Sequence, residues 1–267
     1  MNRAYRSHHG FTLLELIIAL VILAIISLGI GGFLRLGVDG YVSAVDRERL
    51  QSEARFVMER LTREVRHAAP NSVSVSVNAN ETCLSFYPTY LTAYYFDQPS
   101  ATASQIEIVP RADEQGLWTA TNGDDDESAV AVIANTGIAV GFTSAEQYGE
   151  ILKPAAVSAT VLDNVATLRY TNSIESQSPA KRLYLYGEQV SFCYDGDRKL
   201  TRQKAGEGAV VLSNKLDKFD VSATGAGLNS NGIVHIALRF EDPRTSQNGS
   251  QGETSNYNHS VQVINVL

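Results

Sequence analysis

The chain has 267 residues, of which 44% are hydrophobic and 19% charged, with 22 basic and 29 acidic side chains and a formal net charge of -7. Those values exclude a disordered tail, a collagen-like repeat, a disulfide-dense miniprotein and a polytopic membrane protein. They also argue against a nucleic-acid partner: phosphate contacts need clustered Lys and Arg, and here such bases gather only in one helical stretch, interleaved with acids.

Residues 11–34 hold one carboxylate, Glu15, and no base. As a helix this run is roughly 36 Å long, enough to cross a hydrocarbon core of about 30 Å. Arg3 and Arg6 precede it without an acidic residue, so the positive-inside rule leaves the short N-terminus in the cytoplasm and sends the chain beyond the helix outward. A cleaved secretory signal fits less well, because its apolar region is about 7 to 15 residues long and ends at a small-residue site. No such site follows Leu34. Glu15 lies at a depth where a lone carboxylate costs several kcal/mol unless neutralised or paired. A cut just before Phe11 would create an α-amino group one helical turn away, and the pair could form between neighbouring subunits.

The run Gly10-Phe11-Thr12-Leu13-Leu14-Glu15-Leu16, followed by an unbroken apolar stretch, resembles the class III signal of type IV prepilins and type II secretion pseudopilins. The resemblance implies cleavage after Gly10 by a membrane prepilin peptidase, N-methylation of Phe11, and a salt bridge from Glu15 to the terminal amine of an adjacent subunit. One departure is His8-His9, where the family usually carries Lys or Arg beside the Gly, so the leader's charge rests on Arg3 and Arg6. The partners implied are the peptidase, other major and minor pilins, an inner-membrane assembly platform and membrane lipid.

Gly29, Gly31 and Gly32 close the apolar run, each costing about 1 kcal/mol relative to Ala in a helix. They suit either local unwinding during assembly or close helix packing. From residue 35 an amphipathic helix is expected, with Val38, Tyr41, Val45, Leu50, Ala54, Val57, Leu61, Val65 and Ala68 on its apolar face. The opposite face mixes acids and bases, which favours i,i+4 pairs on a solvated surface. Pro70 and Asn71 end the helix.

Beyond it, turn residues punctuate short β-branched and aromatic segments, the pattern of a mainly antiparallel sheet. Strands are expected at 72–77, 83–87, 105–109, 129–133, 165–170, 182–186, 189–194, 200–203, 209–212, 219–222, 233–240 and 259–266. Asp195-Gly196 marks a hairpin. Residues 121–128 and 245–258 are expected polar loops.

Cys83 and Cys193 are the only cysteines, each in an apolar strand segment that the topology sends to an oxidising compartment. A disulfide is expected, two buried free thiols being the alternative. His67, His235 and His259 form no metal-spaced motif, and no nucleophile elbow, phosphate-cradling loop or C-x-x-C appears, so neither an enzyme nor a cofactor is expected. Asp124 and Asp126, within Asp124-Asp125-Asp126-Glu127, are weak calcium candidates; they lack EF-hand spacing, and a solvated acidic loop reads better. Tyr87, Tyr90, Tyr94, Tyr95 and Phe96 form an aromatic cluster, either core packing or a sugar or partner surface.

The expected fold is therefore α+β and pilin-like, a long N-terminal helix packed on a mainly antiparallel β-sheet head. Its parts are a leader at 1–10, a transmembrane and assembly helix at 11–34, an amphipathic helix at 35–69 and a β-rich periplasmic head at 70–267. A head of this size resembles the large W-like minor pilins, most closely the O-type minor pilins of the mannose-sensitive haemagglutinin (MSHA) pilus. Phe192-Cys193-Tyr194-Asp195-Gly196 and His259-Ser260-Val261-Gln262-Val263-Ile264-Asn265-Val266 carry that finer resemblance. It implies a structural part in pilus initiation or at the tip. Alternatives are a large minor pseudopilin of type II secretion and an adhesin-like binding head.

Overall fold

A computed structural model of the chain describes residues 11–97, 105–110, 136–150, 158–162, 165–170, 174, 176–225, 231–242 and 253–263. The leader, the expected strand at 129–133 and the calcium candidates Asp124 and Asp126 lie outside the described residues. The chain divides into two compact units, one ending at Arg49 and one beginning at Leu50.

Helix α1 spans Leu13–Arg66 without a break. Thr12 caps it: its hydroxyl accepts from the Glu15 N–H at 3.3 Å, and its carbonyl accepts from the Leu16 N–H at 3.2 Å. The helix runs through Gly29, Gly31 and Gly32, and a Cβ on any of them would meet nothing within 4 Å, so packing inside this chain does not require them. The last turn tightens through bonds from the His67 and Ala68 amides to Glu64 and Val65. Asn71, at φ 56°, then turns the backbone away.

In the second unit, Leu50, Ala54, Val57, Leu61 and Val65 are fully buried, at steps of three and four residues. In the first unit, Val38 and Tyr41, expected on the apolar face, are exposed among the described residues.

Every pairing among the described strands is antiparallel. Strands β1 (Ser74–Val77), β2 (Thr82–Phe86), β9 (Val190–Tyr194), β10 (Leu200–Lys204) and β11 (Val210–Ser213) form one sheet in the order β1-β2-β9-β10-β11. Strands β12 (Leu216–Thr224), β13 (Ile233–Glu241) and β14 (Thr254–Gln262) form a second. Both press apolar faces onto α1: Leu84, Phe86, Phe192 and Leu200 from the first, and Phe219, Val234, Ile236, Leu238, Phe240 and Val261 from the second, share one core with the helix. The layout is α+β with one long helix against antiparallel sheets.

Between β2 and β9 the chain builds a third sheet, which local sequence pattern does not set apart as a separate body. It holds β3 (Thr89–Tyr95), β4 (Gln105–Pro110), β5 (Gly137–Ala139), β6 (Ser158–Leu162), β7 (Val165–Arg169) and β8 (Arg182–Tyr186), in the order β5-β8-β3-β4-β7-β6. It has a core of its own, in which Leu91, Ile108, Ile138, Leu168, Leu183 and Leu185 are buried. This insert begins and ends on adjacent strands, because β2 and β9 pair from Thr82↔Tyr194 to Phe86↔Val190.

Two further expectations need correction. The polar loop expected to reach residue 258 ends earlier: β14 starts at Thr254, because pairing with β13 satisfies its backbone whatever the side chains are. The acids of the helix also do more than form i,i+4 pairs. Glu64 accepts from Arg60 at 3.0 Å but also from Arg202 on β10 at 2.8 Å, and Glu53 accepts from the Ser213 hydroxyl at 2.6 Å, fastening the helix to the first sheet.

Candidate functional site

The candidate site is the start of α1. Its 18-residue apolar window has a mean hydropathy of 2.9 and no buried residue, and residues 11–44 are all exposed. Phe11 is 68% exposed and Leu28 80%, among uncovered Leu, Ile and Val side chains on every flank of the helix. Contiguous apolar surface of this extent requires lipid or other protein around it.

Glu15 is the sole charged side chain of residues 11–34 and lies in the first turn of the helix, where the dipole favours a carboxylate. Among the described residues it enters no ion pair. Thr12 and Glu15 also have the spacing of a capping box, a sequence signal that hydropathy alone passes over. Phe11 precedes the cap, one turn from Glu15, at the start of the described chain. Gly10 lies outside the described residues.

The structure joins Cys83 to Cys193 in a disulfide, across directly opposed positions of β2 and β9 with Cα atoms 4.1 Å apart. Leu84, Phe86, Val190 and Phe192 point to the helix, so the bridge lies on the other face of the sheet, where Ser85 and Ser191 also meet at 2.8 Å. Glu81 is close to both sulfurs, but their bond to each other leaves no thiolate pair for a metal.

The aromatic cluster divides. Tyr95 is buried and hydrogen-bonds the Ser178 backbone through its hydroxyl, whereas Tyr90, Tyr94 and Phe96 are exposed. Arg182 stacks over the Tyr94 ring at 5.5 Å. Tyr87 belongs to a knot that sequence reasoning missed: it stacks on Tyr148 at 5.3 Å, and Tyr186 meets both edge-on. Tyr148 lies in the short helix α2 (Gln147–Glu150), and its hydroxyl donates to the Pro70 carbonyl just past α1. The Ala69 amide donates to the Tyr87 carbonyl at 2.6 Å. These contacts tie the end of the helix to the base of the insert. Burial raises the Tyr148 hydroxyl well above its usual range and pushes Tyr186 up to about 12.

His235 shares a hydrogen bond with Ser260 at 2.8 Å across β13 and β14, while His67 and His259 line an open groove.

Residues 5–31 match the family described as "Prokaryotic N-terminal methylation motif". The match covers the residues before the helix and the apolar part of α1, including Gly10, Phe11 and Glu15, and supports a type IV pilin-like N-terminus. No curated protein and no solved structure matches the chain.

Proposed function

We propose that the chain is a minor pilin, a structural subunit that enters a type IV pilus of the mannose-sensitive haemagglutinin kind and acts in assembly initiation or at the tip. The observation that carries this reading is the coincidence of the methylation motif with a helix whose apolar surface is exposed on every side around one carboxylate. Before assembly, lipid covers that surface; in a filament, the equivalent helices of other subunits do. Cleavage between Gly10 and Phe11 frees an amine, and Glu15 of one subunit takes the methylated amine of the next as its countercharge. That pairing sets axial register, because a misplaced carboxylate remains unpaired in an apolar medium at a cost of several kcal/mol.

The N-terminus is cytoplasmic and the head periplasmic, in agreement with Arg3 and Arg6 before the helix and with a disulfide in the head. Work is done by assembly rather than by turnover of a substrate. Mass spectrometry of the protein from cells with an active prepilin peptidase tests the reading. The expected species lacks residues 1–10 and carries one methyl group on Phe11; an intact Met1 terminus overturns it. A deletion strain that loses pili but secretes normally distinguishes a pilus from a type II secretion pseudopilus.

A further inference from the structure

From the geometry we infer that the outer edge of β14 receives an extended acidic segment of another protein chain, which adds a fourth strand to the second sheet. Strand β14 is nine residues long and pairs with β13 on one side; on the other side no described strand follows. Natural edges of that length are protected by lysine, proline or inward charge. Strand β12, the opposite edge, carries Asp217, Lys218 and Asp220, whereas Thr254–Gln262 contains no acid, lysine, arginine or proline.

Beside this edge lies a groove of about 540 Å³. The helix supplies Met58, Thr62 and Arg66 along one line and Glu59 and Arg63 along the next, His67 follows just past its end, and β14 supplies Tyr257 and His259. Arg63 and Arg66 form no ion pair or side-chain hydrogen bond among the described residues, although Arg60 and Arg202 nearby both bind Glu64. The buried Thr62 hydroxyl has no partner either. Two guanidinium and two imidazole groups thus face one carboxylate, Glu59, on a chain whose net charge is -7.

A strand laid along β14 would direct alternate side chains toward the helix. Carboxylates there would meet Arg63 and Arg66, a short apolar group would cover Met58 and Tyr257, and main-chain groups would complete the edge. Charge complementarity selects an acidic segment over a neutral or basic one. Strand addition at this edge does not depend on the assembly role proposed above.

The test uses the full chain in detergent and three labelled nine-residue peptides. One alternates aspartate with valine, the second alternates lysine with valine, and the third is the acidic peptide methylated on every backbone nitrogen. The acidic peptide is expected to bind about tenfold or more tightly than the other two and to weaken with salt. Reversing both bases (Arg63→Glu with Arg66→Glu) is expected to lose about tenfold or more, while Arg63→Lys with Arg66→Lys stays within about threefold. Both pairs lie on an exposed face, and far-UV circular dichroism confirms that each variant is folded. Equal binding of acidic and basic peptides, full binding of the methylated peptide, or indifference to charge reversal overturns the inference. So does self-association that charge reversal abolishes without any peptide binding, which would assign the edge to a second copy of the chain.

Discussion

At the scale of single residues, the tyrosine knot shows how a polar group strengthens an apolar contact. Tyr186 lies over Gly137, its partner across the strand pair, where any Cβ would collide with the ring, and its hydroxyl donates to the Tyr148 carbonyl at 3.1 Å. Folding holds this phenol neutral: its proton is bound more tightly in the folded chain, up to about 12, than at the ordinary value of 10.0 in the unfolded one. The stabilisation is therefore complete below pH 10 and declines as pH rises toward 12. Urea midpoints measured across that range should fall, and Tyr186→Phe should fall less steeply while costing about 1 kcal/mol at neutral pH for the lost hydrogen bond. A different constraint acts at Gly141, which has φ +61° and whose missing Cβ would press on the Gln177 carbonyl. Gly141→Ala should cost about 2 to 4 kcal/mol by denaturant titration.

At the scale of elements, the pair β2 and β9 governs the insert. Their disulfide closes a loop of 110 residues that contains all six strands of the third sheet. In the chain-entropy model such a loop is worth about 4 to 5 kcal/mol. Thermal unfolding with and without reductant should show a loss of that order, and Cys83→Ala with Cys193→Ala should reproduce it without a reductant effect. Elements are also where sequence is legible most unevenly. The helix is legible because a 24-residue run with a single charge and a three-to-four periodicity have few other solutions, and the flanking turns locate Arg182–Tyr186 to the residue. Strand β3 reads in sequence as an aromatic cluster, although Leu91, Ala93 and Tyr95 alternate inward with Tyr90 and Tyr94 outward. The first half of β14 reads as loop because hydrogen bonding to β13, not apolar content, holds it. The partition into three sheets depends on which strands meet across long separations, and local pattern carries no record of that.

At the scale of the whole molecule, charge is divided in a way that composition conceals. Residues 89–186, the span of the insert, contain twelve acids and five bases, a net of -7 equal to that of the entire chain, while the remainder balances at seventeen of each. Within that balanced remainder, residues 11–34 carry a single charge, the carboxylate of Glu15. Replacing it tests the assembly proposal at this scale: Glu15→Val should insert into the membrane as before yet fail to complement a deletion strain for pilus assembly. Wild-type piliation by that variant would count against the pairing role. The site is legible in sequence because an isolated charge in a long apolar run is conspicuous; the Thr12 cap is also written there as capping-box spacing, and the structure shows its hydrogen bond to the Glu15 amide.

The neighbouring ends of the insert have a consequence for construction. Since Phe86 faces Val190 across paired strands, a turn of a few residues could replace everything between them and leave β2 and β9 as an ordinary hairpin. The third sheet is in that sense a cassette attached through one strand pair, and exchanging it would also remove Tyr148 and Tyr186, whose contacts reach the end of the helix.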